Sequence, residues 1–102
     1  MKYLKLYESN YNILDYVIVY EETVNPLRDR IVNSAIGQLI KPDKDVVEQW
    51  SNTFDYYVKF ENIPEISGFY DGIRPFNEAE IVFSNPDKEV VEAYLLAKKY
   101  NL

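Results

Sequence analysis

One stretch of nine residues occurs twice in the chain and constrains its fold more than any other feature. Residues 42–50 read PDKDVVEQW and residues 86–94 read PDKEVVEAY, so that six of the nine positions are identical. Two of the other three positions keep their chemistry, an acidic side chain at the fourth and an aromatic ring at the ninth. A chain that repeats such a segment is expected to repeat a structural unit.

Each copy has the composition of a helix start. Proline lacks an N–H and has a fixed φ, so Pro42 and Pro86 fit the first helical position. The acidic residues that follow are favoured in the first turn by the helix dipole. The valine pair and the aromatic residue fall at spacings that place them on one helix face. We therefore predict a short first helix that ends near residues 51–52 and a second helix that extends to about Lys99.

Runs of alternating or β-branched residues precede both helices and are typical of strands. Six strands are predicted, at residues 2–8, 15–22, 30–40, 54–61, 66–70 and 78–84. Gly37 indicates a bulge or bend in the third strand, and Asp71-Gly72 is a hairpin turn signal. The predicted order is βββα followed by βββα.

The predicted fold class is α+β, with mainly antiparallel strands in a single domain over residues 1–102. The domain would consist of two tandem βββα (or ββα) pseudo-repeats, at residues 1–53 and 54–102. Two alignments of the strands remain open. In the first, residues 15–21 match residues 55–61. In the second, residues 3–6 of the N-terminal strand match residues 57–60. The second is preferred because it gives two units of nearly equal length.

Composition excludes several kinds of chemistry. The chain has no cysteine and no histidine. It therefore lacks the residues required for disulfides, cysteine nucleophiles, Ser-His-Asp triads and the usual zinc sites. Its three glycines have no phosphate-loop or dinucleotide spacing, and its net charge of −6 argues against nucleic-acid binding. No apolar run approaches the ~20 residues of a membrane span, and no signal-peptide pattern is present. We expect a soluble, intracellular, non-enzymatic protein without cofactor or metal.

Paired carboxylates leave one enzymatic alternative, a metal-dependent hydrolase that uses carboxylates alone. The pairs are Asp43/Asp45, Glu78/Glu80 and Asp87/Glu89. A calcium loop needs more oxygen ligands and a glycine at its sharp turn. Charges at helix starts and on a solvated strand face explain these pairs better.

The ten tyrosines suggest where a partner could bind. Tyr3, Tyr7 and Tyr57 fall on strand faces that otherwise carry charge, and Phe69 and Tyr70 flank the predicted hairpin turn. Aromatic residues at such positions can be ordinary cross-strand packing. Tyrosine is also enriched at interface hot spots, so we identify these five residues as candidate binding residues.

The length, the absence of cysteine and histidine, the tyrosine content and the paired motifs together resemble a family of small orphan proteins of Acidianus filamentous virus, whose hosts are acidophilic, hyperthermophilic archaea. The resemblance implies two similar motifs packed around a groove, a role in protein–protein interaction, and no known enzymatic activity. It implies the host cytoplasm as the compartment, and it supplies no catalytic residues.

The leading hypothesis is therefore a non-enzymatic viral protein that binds an extended peptide or partner, of host or viral origin, in a groove between two repeated motifs. A membrane or nucleic-acid partner is not expected. The alternative is an acidic inhibitor that mimics nucleic acid and blocks a host defence protein. Its support is the isoelectric point of about 4.6 and the acidic helix starts.

Overall fold

The computed structural model describes residues 11–50, 54–64 and 68–100. The predicted strand over residues 2–8 and the first two residues of the short strand predicted over 66–70 therefore lie outside the described residues, and residues 68–70 contribute only an isolated bridge at Tyr70. In chain order the elements are β1 (Tyr16–Val19), α1 (Pro26–Asn33), β2 (Gly37–Ile40), α2 (Lys44–Val47), β3 (Tyr56–Phe60), β4 (Ile73–Phe76), a 3₁₀ turn (Glu78–Glu80), β5 (Ile81–Asn85) and α3 (Lys88–Lys99). The predicted α+β class is confirmed.

The five described strands form one antiparallel sheet in the order β4-β3-β2-β1-β5. The first four strands are a meander in which sequence neighbours pair, and β5 returns to pair with β1. The β1–β5 pairing has a register shift between Ile18 and Val19, which is typical of a β-bulge.

The sheet must curl, because a short link joins its two edge strands. Only residues 77–80 separate β4 from β5, whereas the outer strands of a flat five-stranded sheet are about 19 Å apart. The Glu78 N–H donates to the Asp55 carboxylate (2.8 Å), and the Tyr20 N–H donates to the Glu80 carbonyl (2.8 Å). The link thus runs from the β3 side of the sheet to the end of β1.

The inner face of this curl holds the main core. Because side chains alternate along a strand, every second residue points inward. The buried cluster contains Val17, Val19, Val32, Leu39, Tyr56, Val58, Phe60, Phe76 and Ile81. Its α1 member, Val32, covers the inner face from one side. Burying an aliphatic or aromatic side chain of this kind contributes about 1.5–3 kcal/mol, so this face dominates the stability of the domain.

Two helices cover the ends of the outer face. Helix α3 packs on β1 and β5, where Val91 is fully buried. The Phe83 ring stacks on the Tyr94 ring with centroids 4.2 Å apart. At the other end, Val46 of α2 joins a smaller buried cluster with Tyr57 and Ile73. Between these helices the outer face is left open only at Gln38 of β2 and Lys59 of β3.

The predicted strand over residues 30–40 is wrong in its first part. The Asn25 side chain accepts a hydrogen bond from the Arg28 N–H (3.1 Å). Asn25 is thus the N-cap of α1, and Pro26 occupies the first turn, where its missing N–H costs nothing. The strand begins only at Gly37.

Both copies of the repeated motif begin a helix, but the prolines do not occupy the first helical position. Asp43 and Asp87 are the N-caps of α2 and α3, so each proline lies one residue before the cap. The Asp87 carboxylate accepts from the Glu89 N–H (2.9 Å). The predicted end of the second helix at Lys99 is confirmed, whereas α2 is only four residues long.

The two copies do not pack alike. In α2 the first valine of the pair, Val46, is buried and Val47 is exposed, whereas in α3 Val90 is exposed and Val91 is buried. One residue is about 100° around a helix, so the copies bury different faces. Residues 1–53 contribute β1 and β2 to the middle of the sheet, and residues 54–102 flank them on both sides. The βββα pseudo-repeat is not confirmed.

The hairpin turn predicted at Asp71-Gly72 is present. Tyr70 and Ile73 exchange two backbone hydrogen bonds of 2.9 and 2.8 Å across it. Both turn residues have positive φ, at 53° and 76°, as a type I′ turn requires.

Gly37 is required by close packing and not by a bulge. It pairs regularly with Val17 on one side and with Phe60 on the other. A Cβ atom at this position would overlap Val58 Cγ1 and lie 3.0 Å from Phe60 Cε1. The neighbouring strand therefore leaves no room for a side chain.

We expect Gly37→Ala to lower the free energy of unfolding by about 1–3 kcal/mol, because overpacking a closed core forces its neighbours to move. Urea denaturation followed by circular dichroism measures the change. The control is Gly37→Ala combined with Val58→Ala, which removes the overlapping methyl group. The double variant should lose less stability than the two single changes added together, and simple additivity would contradict the proposed clash.

Candidate functional site

An open groove lies between helix α3 and the α1–β2 connection. It consists of two adjoining pockets of about 520 and 290 Å³, which share Ser34, Ile36 and Leu95 as lining residues. Volumes of this size lie in or close to the range of ligand-binding clefts. The groove joins residues 33–38 of the first half of the chain to residues 88–99 of the second half.

One face of α3 forms a wall of the groove. Residues 88, 92, 95, 96 and 99 recur at three- and four-residue spacings, which bring side chains onto one side of a helix. Leu95 and Leu96 occupy the apolar middle of this wall, with Ile36 also lining the first pocket. Leu96 is 55% exposed. An apolar centre is thus available to a bound molecule.

Lysines surround that apolar centre. Four of the six lysines in the described ranges line the groove, namely Lys59, Lys88, Lys98 and Lys99. Glu61 and Glu92 are the acidic lining residues. The formal charge of the groove is therefore +2, although the whole chain carries −6.

The sheet supplies the polar floor of the second pocket. Gln38 of β2 lies opposite Lys59 of β3 and opposite Tyr16 of β1 in the strand register, so the three side chains share the outer face. The Lys88 ammonium group lies 6.0 Å from the centroid of the Tyr16 ring, in cation–π range. This contact holds the first turn of α3 over the sheet.

Those sequence-predicted binding residues that the structure describes, Tyr57, Phe69 and Tyr70, do not line this groove. Tyr3 and Tyr7 lie outside the described residues. Tyr57 is on the outer face, as its alternation predicts, but it is only 7% exposed. Its ring packs beside Trp50 at a centroid distance of 6.0 Å. The segment that follows β2 covers this strand face, which the sequence pattern had indicated as open.

Phe69 and Tyr70 lie at the opposite edge of the sheet. The Phe69 ring meets Phe60 edge to face at 5.9 Å, and the Arg74 guanidinium lies 5.9 Å from the Phe69 centroid. Phe69 is thus a packing residue of the inner face. Tyr70 pairs with Ile73 across the hairpin turn and is 39% exposed. A partner-binding role for Tyr70 stays a prediction.

Sequence reasoning assigned the groove residues to other roles. Leu95 fits the apolar face of the predicted second helix, and Lys98 and Lys99 fit its C-terminus, where positive charge is favoured, so neither position by itself indicated a binding role. One available signal was the Leu95-Leu96 pair followed so closely by two lysines. Two adjacent leucines cannot both lie at the centre of the apolar stripe that faces the core, so one of them, Leu96, is left toward solvent.

A buried charge cluster lies on the inner side of the sheet. The Glu21 carboxylate, whose side chain is 2% exposed, accepts from Arg74 Nε (2.8 Å) and from Arg28 Nε (3.4 Å). Arg74 also donates to the Gly68 carbonyl (2.9 Å). The Asn33 side-chain amide accepts a hydrogen bond from the Glu21 N–H and donates one to the Glu21 carbonyl. These bonds join the end of β1 to α1 and β4.

Asp29 of α1 lies beside this cluster. Its carboxylate accepts from the Thr23 N–H (2.6 Å) and from the Thr23 hydroxyl (2.8 Å). Burial raises the pKa of Glu21, while its bonds to Arg74 and Arg28 act in the opposite direction. Burial also acts to raise the pKa of Asp29, but the hydrogen bonds from the Thr23 N–H and hydroxyl and the charge of Arg28 leave that pKa below its usual value.

Comparisons with known proteins give no relative for this arrangement: no family model, curated protein or solved structure matches the chain. Among the described residues, no group of three or more acidic side chains is placed to hold a metal ion. None of the described helices is both long and apolar enough to cross a membrane.

Arg74→Met should lower the free energy of unfolding by about 2–4 kcal/mol, because it leaves the buried Glu21 carboxylate with a weaker set of partners. The measurement is urea denaturation at neutral pH. Arg30→Met is the matched control, since Arg30 is exposed on α1 and should change stability by less than about 0.5 kcal/mol. Equal losses in the two variants would contradict the role of the cluster.

Asp29→Asn should change how stability depends on pH. When the pKa of a carboxyl group is lower in the folded chain than in the unfolded chain, the group stabilises the fold at pH values above its unfolded pKa. That contribution is lost as the pH falls through the folded pKa. The melting temperature of the wild type should therefore exceed that of the variant most at about pH 5, and the difference should shrink below the ordinary value of 3.8.

Melting curves from about pH 5 to pH 2.5 test this expectation. Asp45→Asn, which removes an exposed carboxylate from α2, controls for the change in net charge. A wild-type advantage over Asp29→Asn that stays constant across the range would show that the Asp29 charge does not contribute.

Proposed function

We propose that this protein is a non-enzymatic interaction module that binds an extended peptide segment of a partner protein in the groove beside α3. One observation carries the proposal. The groove combines an apolar centre, formed by the exposed Leu96 and the half-buried Ile36 and Leu95, with a rim of charged side chains. Peptide-binding grooves obtain affinity from the first feature and orientation from the second.

The groove lies between the two halves of the chain, and only the second copy of the repeated motif contributes to it. Its α3 wall begins with the second copy of the repeated motif, and its opposite wall comes from residues 33–38 in the first half. The pseudo-repeats at residues 1–53 and 54–102 are part of this proposal, together with the viral origin and a host or viral partner. What supports duplication is the recurrence of the motif at two helix starts.

The acidic inhibitor that mimics nucleic acid remains the alternative. Its support is the overall charge of −6, with exposed carboxylates at the starts of α2 and α3. Peptide binding is favoured over nucleic-acid mimicry, because the groove is a concave surface with a defined apolar centre. Mimicry by surface carboxylates would give that apolar centre no role.

Leu96→Ser tests the groove directly. Panning a random 12-residue phage library on the purified protein provides peptide ligands, and fluorescence anisotropy measures their dissociation constants. Because Leu96 is exposed, its truncation should leave the fold intact. Loss of its contact with the peptide should weaken binding by about 5- to 30-fold, from roughly 1–2 kcal/mol of lost apolar burial.

Val90→Ser is the matched control, because Val90 is an exposed apolar residue of α3 that does not line the groove. Peptide affinity should be unchanged in this variant. Peptides that bind Leu96→Ser as well as the wild type, or a library without any enriched peptide, would contradict the proposed function.

A further inference from the structure

The charges around the groove indicate what kind of peptide it takes. We infer that the bound segment is acidic at two positions about five residues apart and apolar between them. This inference rests on the proposed function and adds the chemistry of the ligand to it.

Within the described part of the chain, the lysines of the groove have no acidic partners, and the contacts of Lys88 with the Tyr16 ring (6.0 Å) and of Lys99 with the Tyr100 ring (5.8 Å) leave their charge unneutralised. Among the described residues, none of Lys59, Lys88, Lys98 and Lys99 forms an ion pair within 4.0 Å. Their charge stands out locally, since the groove is formally +2 in a chain of −6. An acidic segment is attracted to this surface, and a basic segment is attracted to most of the remainder.

The helix sets the spacing of the positive charges. Lys88 begins α3, and Lys98 and Lys99 end it, so ten or eleven residues separate the two positive ends. At 1.5 Å per residue this is about 15–17 Å along the helix axis. An extended peptide rises about 3.3 Å per residue. Two carboxylates about five positions apart can therefore meet the two ends together.

The middle of the groove excludes an acidic residue. Leu95 and Leu96 present an apolar surface there, and Glu92 lies on the same wall between the lysine ends. A carboxylate placed at the centre would lose hydration and face the negative charge of Glu92. An apolar side chain at that position avoids both costs.

The same features disfavour a nucleic acid as the ligand. A phosphate backbone carries a charge at every nucleotide, so it gains nothing from an apolar centre and is repelled by Glu61 and Glu92. A peptide with separated charges fits the alternation of the groove better.

The test uses peptides enriched from the random library that lose affinity for Leu96→Ser, because these bind the groove. We expect them to carry two acidic residues four to six positions apart with apolar residues between. Synthetic versions with both acidic residues changed to glutamine should bind about tenfold more weakly, and versions with lysine more weakly still. Raising NaCl from about 50 to 300 mM should weaken the acidic peptides most.

Lys98→Glu combined with Lys99→Glu tests the positive end, with Lys41→Glu combined with Lys44→Glu as the matched control. The control pair consists of the two described lysines outside the groove. The first variant should lose about tenfold in affinity for acidic peptides, and the second no more than about twofold. Lys98→Gln combined with Lys99→Gln should lose less, which separates charge reversal from weakening of the helix end.

The outcomes separate the two claims. Groove-dependent peptides without acidic enrichment, or equal losses in the two reversed variants, would overturn this inference and leave the proposed function standing. A library without groove-dependent peptides would overturn both. A single-stranded oligonucleotide that displaces the peptides at equal concentration would overturn the peptide assignment in favour of a polyanion.

Discussion

The shape of the domain depends on the ion pairs that the buried Glu21 carboxylate forms with two arginines. This carboxylate joins β1 to Arg28 of α1 and to Arg74 of β4, which is 53 residues away in sequence. A curled sheet needs its far strands held together, and apolar contacts do this without fixing a direction. Charge-assisted bonds are directional, and a buried charge must keep its partners, so the cluster specifies how the inner face closes.

The open groove follows from the way in which the outer face is covered. Val91 and the Phe83–Tyr94 ring stack anchor α3 on β1 and β5, at one side of the sheet. Helix α2 is only four residues long and covers the other side. Between the two helices, Lys59 on the outer face of β3 is left exposed and Gln38 beside it on β2 is half-buried. The lysines and the apolar pair on α3 therefore border a concave surface, which we propose as the binding site.

Much of the sheet was predictable because its signals are local. Alternation marked β3, β-branched residues marked β1, and Asp71-Gly72 marked a turn that needs two positive φ values. Helix α1 was missed because Asn25-Pro26 can end one element or begin another. The exposure of a candidate binding aromatic such as Tyr57 is not a local property. Alternation places Tyr57 on a strand face, but only the chain packed above that face decides whether its ring is exposed.

The repeated motif separates what sequence and tertiary structure each decide. By itself the sequence determined that two helices begin near Pro42 and Pro86, because a proline and the acidic residues after it act within a few residues of the backbone, although the caps proved to be Asp43 and Asp87. It did not determine which valine of each pair is buried. Val46 and Val91 occupy different motif positions, and each is buried because the sheet beneath its helix lies on that side. The groove is also a tertiary product, since its walls come from residues more than 50 positions apart and meet only when the sheet has formed.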